Sequence, residues 1–268
     1  MKAILIYKRQ TTAFAFSLLL PMVALGQDSS SVSATKTAPT GLENVGISYF
    51  NYMNGPTLAE NEGAYSINHY ISLAYKLGND WSLKLSIRPD QKLGKYDEDE
   101  STFTQGDSYL TLGMPALFKG DGGLKVTSQL RYYAPLSESS KKKQLSGKIV
   151  PRVYVSQSIG KLNLLYLLIP SIYLHQTSEK GQTLVSHGHY LSASYSVTPK
   201  FSLDFALYPG WAVKRGEGSS FNENTPMYPG FSYSFTDKAS LSTYIEVLTN
   251  KPEMKTASLG SSLSYTLL

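Results

Sequence analysis

The run Tyr65-Ser66-Ile67-Asn68-His69-Tyr70-Ile71-Ser72-Leu73-Ala74-Tyr75-Lys76-Leu77 alternates between two kinds of side chain. Tyr65, Ile67, Ile71, Leu73, Tyr75 and Leu77 make a mostly apolar set that includes His69. Ser66, Asn68, Tyr70, Ser72, Ala74 and Lys76 interleave with it. After Gly78-Asn79-Asp80 the alternation resumes, with Trp81, Leu83, Leu85 and Ile87 against Ser82, Lys84, Ser86 and Arg88. A period of two puts the two sets on opposite faces of a strand, one in apolar surroundings and one in water. Two such runs joined by a short turn of Gly, Asn and Asp predict a hairpin.

The same unit recurs along the chain. Leu110, Leu112, Met114, Ala116 and Phe118 lead to a Gly-rich turn at 119–123, and Leu124, Val126, Leu130 and Tyr132 follow. Further pairs of runs flank turns around Gly160, Pro199 and Asp237, so the tight turns recur at roughly 40 residues. Five hairpins, a first strand at Val45-Ile47-Tyr49 and a last at Leu259-Leu263-Tyr265-Leu267 predict twelve strands. Longer polar connections, at 53–64, 90–105, 135–147, 175–187, 214–225 and 250–255, alternate with the tight turns.

Composition narrows the class. Charged residues are 17% of the chain, against about 25% in an ordinary soluble domain. There is no cysteine, which excludes disulfide frameworks, zinc–thiolate sites and thiol nucleophiles. The first 26 residues read as a signal peptide. Lys2, Lys8 and Arg9 precede an apolar stretch from Ala13 to Val23, and Ala24-Leu25-Gly26 supplies the small residues of a cleavage site. Removing it takes away three basic residues and lowers the net charge from +5 to +2, so the basic pI is no case for nucleic-acid binding. Residues 27–44 are expected to be a flexible periplasmic leader, rich in Ser, Thr and Ala, and 45–268 the barrel.

Strands of about 11–13 residues are longer than usual and long enough to cross a bilayer at a tilt. Aromatic residues gather near the strand ends: Tyr75, Trp81, Phe118, Phe201 and Phe235 by the tight turns, and Tyr65, Tyr132, Trp211 and Met227-Tyr228 towards the loops. Rings with a polar edge suit the headgroup level of a membrane. The expected fold is therefore all-β, a 12-stranded antiparallel up-and-down transmembrane β-barrel, with strand 12 pairing with strand 1 so that no backbone edge meets lipid. The chain resembles bacterial outer-membrane β-barrel (porin-like) proteins over its whole mature length. Its last residues, Leu263-Ser264-Tyr265-Thr266-Leu267-Leu268, are similar to that family's C-terminal assembly signal, though the family ends on an aromatic and this chain on leucine. The resemblance implies a Gram-negative outer membrane, with lipids and lipopolysaccharide as surroundings and both termini periplasmic.

If the apolar set faces lipid, the other set lines the lumen. Its charges are Lys76, Lys84, Arg88, Asp107, Lys125, Arg131, Arg152, Asp204 and Glu246, an excess of three positive charges carried mostly on strands 2 to 6. Strands 8 to 12 contribute mainly Ser, Gly and Tyr. Two readings follow. One is a water-filled pore that passes small polar or anionic solutes. The other is a closed lumen in which Arg88, Arg131 and Arg152 pair with Asp107, Asp204 and Glu246, leaving an enzymatic or recognition role to the loops. Inner tyrosines (Tyr70, Tyr109, Tyr133, Tyr154, Tyr190, Tyr208, Tyr244) either stack on a solute or fill space. The seventh strand, Leu162 to Ile169, is apolar on both faces, so it either packs inward or meets another copy of the chain in a homo-oligomer.

No catalytic motif is found. Outer-membrane phospholipases resemble this chain in strand number, but they carry a His-x-Ser-Asn-Gly stretch; here His189 and Ser192 have opposite parity and cannot share a proton along one strand. His187-x-His189 sits at an expected loop edge with no carboxylate nearby, so no metal or cofactor is implied. Asp97-Glu98-Asp99-Glu100 and Lys141-Lys142-Lys143 read as solvated loop tips, with lipopolysaccharide cations or phosphates as alternative partners.

Overall fold

The computed structural model describes residues 44–57, 65–93, 103–222, 224–250, 252–253 and 256–267. The expected signal peptide, the expected leader up to residue 43 and the acidic run at 97–100 lie outside the described residues.

Twelve staves run antiparallel to their neighbours. The first half comprises β1 (Val45–Thr57), β2 (Tyr65–Gly78), β3 (Trp81–Ile87 continued by Pro89–Leu93), β4 (Phe103–Gln105, Tyr109–Gly113 and Phe118–Lys119), β5 (Lys125–Tyr133) and β6 (Leu145–Ile159). The second half comprises β7 (Leu162–His175), β8 (Thr183–Ser196), β9 (Phe201–Leu207 and Gly210–Lys214), β10 (Gly218–Phe221 and Pro226–Thr236), β11 (Ala239–Leu248) and β12 (Ser258–Thr266). Each pairs with the next in sequence, and β12 pairs with β1 from Ser48–Thr266 to Thr57–Ser258. The sheet is thus a closed barrel, which leaves no edge strand to satisfy.

The two-residue period decides which side chains face out. Ile71, Leu73, Tyr75 and Leu77 of β2 and Trp81, Leu83, Leu85 and Ile87 of β3 are all exposed on the outer wall, as are Leu203, Phe205, Phe231, Leu263 and Tyr265. Their neighbours Tyr70, Ser72 and Ser86 are buried within. A 14-residue stave at about 3.3 Å per residue and roughly 40° of tilt rises about 35 Å, enough for a hydrocarbon core of about 30 Å. The hairpin turns match the sequence reading. Asn79 and Asp80 both take positive φ (50° and 62°), as a type I′ turn requires of its two central residues.

Proline breaks the pattern three times. Pro89 splits β3, Pro115 splits β4 and Pro209 splits β9, since none can donate to a ladder. After Pro115 the alternation expected through Ala116 slips: Leu117 and Phe118, adjacent in sequence, are both exposed. The long connections are also shorter than their polar composition suggests. β3 extends to Leu93, β8 begins at Thr183, and β9 and β10 run on through Lys214 and Gly218 as a hairpin, so the wall rises beyond the expected strand ends. His187 and His189 consequently lie inside β8 rather than at a loop edge. Both face out and stack on Trp211, at 5.0 and 4.9 Å between ring centroids.

Tyrosine rings cover glycines on three neighbouring pairs. A Cβ at Gly260 would lie 2.2 Å from the Tyr244 ring, one at Gly188 2.4 Å from the Tyr208 hydroxyl, and one at Gly147 2.7 Å from the Tyr132 ring. These glycines are kept by close approach of a ring rather than by a turn.

Candidate functional site

Large polar side chains occupy the barrel interior. Tyr52, Tyr70, Tyr109, Tyr133, Tyr154, Tyr190, Tyr228 and Tyr244 are all buried there, together with Arg131 and Arg152. Rings pass from stave to stave: Tyr52 and Tyr70 are 6.3 Å apart, Tyr70 and Tyr109 6.3 Å, Tyr109 and Tyr133 4.8 Å, and Tyr228 and Tyr244 5.8 Å. Tyr244 Oη donates to Asn54 Oδ1 at 3.4 Å, which links β11 to β1. Towards the tight turns the inner wall of β9 to β12 is made of smaller groups, and Ser202, Asp204, Ser232, Ser242 and Ser264 are half-buried.

Nine charged side chains were expected along this interior, and the structure separates them. Lys76 is exposed at the tight-turn end, and Lys125 is half-buried at the same end. Arg88 Nε donates to Asp90 Oδ1 at 2.9 Å, and its Nη2 donates to Asn68 Oδ1. Asp107 holds a loop instead of an arginine. Its carboxylate accepts from Ser137 N at 2.8 Å and Ser140 Oγ at 2.5 Å, at the start of the short helix α1 (Glu138–Lys142). Asp204 accepts from Ser232 Oγ at 2.5 Å, and Ser232 in turn contacts Ser242 at 2.8 Å. Glu246 is buried where the Tyr228 and Tyr244 rings meet on β10 and β11. The cross-lumen bridges weighed in the closed reading are therefore not the arrangement adopted. Arg131 and Arg152 pair with no acid among the described residues, and Arg88 takes an acid that the sequence reading had placed in a loop.

What Arg131 and Arg152 do have is neutral. Arg131 donates from Nε and Nη2 to Gln129 Oε1 at 3.1 and 3.0 Å, and its guanidinium lies 4.9 Å from the centre of the Tyr109 ring. Arg152 Nη2 donates to Tyr133 Oη at 3.2 Å, while its Nε and Nη1 have no partner among the described residues. Arg131 is 1% exposed and Arg152 0%. Guanidinium over an aromatic face is favourable, but it does not cancel a net charge. Lys148 adds to the same wall, 4.2 Å from the Tyr133 ring centre and 5.8 Å from that of Tyr173.

Lys148, Asp90, Tyr52 and Tyr173 escaped the sequence reading. Lys148 and Asp90 bordered segments read as loops, although both keep the inward parity of their staves. Tyr228 was expected in the outer aromatic belt and is instead 3% exposed inside. The two-sided apolar seventh strand packs inward: Leu167 and Ile169 are almost fully buried opposite Tyr154, Tyr190 and Arg152, while Leu164, Ile172 and Leu174 stay exposed outside.

No family model matches this chain, and no curated protein matches it. Solved structures do. The NanC porin, solved in a rhombohedral crystal form, superposes with a TM-score of 0.50 at 12% identity, over 82% of this chain and all of that one. OmpT, an outer membrane protein of Vibrio cholerae folded in vitro and solved in its trimer form, aligns at a TM-score of 0.42 and 8% identity, over 84% of this chain and 99% of that one. The fold is that of the outer-membrane porins: a closed antiparallel barrel of twelve staves.

Proposed function

We propose that this chain is exported by its first 26 residues, assembles in a Gram-negative outer membrane with both chain termini periplasmic, and works there as a channel for small polar or anionic solutes. The single observation carrying the proposal is the charge of the inner wall. Arg131, Arg152 and Lys84 project from β5, β6 and β3 without an acidic partner among the described residues. An uncompensated charge shut away from water costs several kcal/mol. The cost is relieved where the cluster reaches water and mobile anions, which it does at Lys84, half-buried beside the fully buried Arg131 and Arg152. A cationic wall in a narrow aqueous path favours anions and retards cations.

A second reading has its own support. The buried set of tyrosines favours a barrel that holds shut in its resting state, with the loops carrying a recognition role. Single-channel recording in planar bilayers separates the two. Steady current that reverses on the anion side of a salt gradient is expected; absence of current from correctly folded protein would exclude the channel.

A further inference from the structure

We infer that Lys84, Arg131 and Arg152 form a discrete binding site for an oxyanion group, a phosphate or a carboxylate, on the inner wall. The inference deepens the channel reading and rests on it for the route by which the ion arrives.

The three side chains are neighbours in the ladder. Lys84 of β3 stands opposite Thr111 of β4, and Thr111 stands opposite Arg131 of β5. Arg152 of β6 stands opposite Gln129, one step along the inner face from Arg131. Lys84 interacts electrostatically with both guanidiniums, so three like charges converge without an acid among the described residues. Folding keeps them together although they repel.

The second observation is the set of unused polar atoms. Arg152 Nε and Nη1, Thr111 Oγ1 and the Tyr154 hydroxyl are buried and have no hydrogen-bond partner among the described residues. Buried donors in native proteins are paired as a rule, and groups left over by the protein are completed by ordered water or a bound ion. Here the unused groups include the three N–H bonds on Nε and Nη1 of Arg152 and two hydroxyls, on the same stretch of inner wall as the three positive charges. That chemistry suits a compact anion with several acceptor oxygens, because guanidinium donors match oxyanions in geometry as well as charge. Chloride satisfies the charge but offers no array of oxygens. Lys84, only half-buried, is the side from which the site is entered. Such a site would make an oxyanion pause in the barrel, not merely pass.

The test uses full-length chain refolded in detergent, with inorganic phosphate as probe and calorimetric titration as readout. Saturable binding of one phosphate per barrel is expected, weakened at least tenfold by Lys84→Gln and by Arg152→Gln, and unchanged by Lys141→Gln on the exposed helix α1. Folding of each variant is checked by its heat-dependent gel mobility, and Lys84→Gln carries the test if Arg152→Gln does not fold. Competition with acetate identifies the ligand group: displacement of phosphate points to carboxylates and phosphates alike, and no displacement to phosphate alone. Wild-type affinity in both folded variants, or equal weakening by Lys141→Gln, overturns the site. Phosphate binding without ion current would leave the site standing and remove the channel; current without saturable binding would do the reverse.

Discussion

Replacing Arg131 and Arg152 together with glutamine removes two inner cations that pair with no acid among the described residues, and the consequence for selectivity can be worked from Coulomb's law. An anion passing about 5 Å from one unit charge in water gains about 0.8 kcal/mol. Screening over a Debye length of about 10 Å at 0.1 M salt reduces this to about 0.5 kcal/mol. Two charges then amount to about 1 kcal/mol for an anion and the same with opposite sign for a cation, or roughly a 30-fold fall in the anion-to-cation permeability ratio. At 1 M salt, with a Debye length near 3 Å, the same change should shrink to about threefold. The assay is the reversal potential across a planar bilayer under a KCl gradient, repeated at both ionic strengths. The barrel is expected to tolerate the double change, because removing unpaired buried charge leaves no orphaned partner carboxylate. A permeability ratio that does not move at 0.1 M refutes the role given to these arginines. A shift of equal size at 1 M also refutes it, since it would have to come from pore shape rather than charge.

Arg88 offers the opposing case: because it pairs with Asp90 at 2.9 Å, the double variant Arg88→Gln/Asp90→Asn should leave the reversal potential where it is. Substituting Gly260 by alanine drives a Cβ into the Tyr244 ring, and overpacking of this kind should destabilise the barrel by about 1–3 kcal/mol, read as a lower midpoint of urea unfolding in detergent. Asp107→Ala deletes the acceptor for Ser137 N and Ser140 Oγ; charged hydrogen bonds are worth about 1.5–3 kcal/mol each, so trypsin should cut at Lys141 to Lys143 at least roughly tenfold faster than in the parent chain. An unchanged cleavage rate there would mean that α1 is held by something other than Asp107.

Parity made most of the architecture legible before any coordinates. Period-two alternation depends only on which way successive side chains point, so the outward set Leu73, Leu83, Leu203 and Leu263 could be read from one stretch of chain at a time. The tight turns were equally local, because Asn79 and Asp80 tolerate positive φ by their own chemistry. Twelve staves followed from counting hairpins, and closure followed because an open edge cannot be left in lipid.

The interior was a different matter. The sequence establishes that Arg88, Arg131, Arg152, Asp107, Asp204 and Glu246 share the inward parity, but parity says nothing of height or of the facing wall. Partner choice depends on register between staves far apart in the chain, and on how a loop folds back. Continuation of β3 past Pro89 set Arg88 beside Asp90 on one stave, and the fold of helix α1 drew Asp107 to Ser137 and Ser140. Register brought Lys84, Thr111, Arg131 and Arg152 into one cluster across four staves. Alternation along a strand is a one-residue property; the compensation of a charge is a property of the closed cylinder, and only tertiary structure decides it.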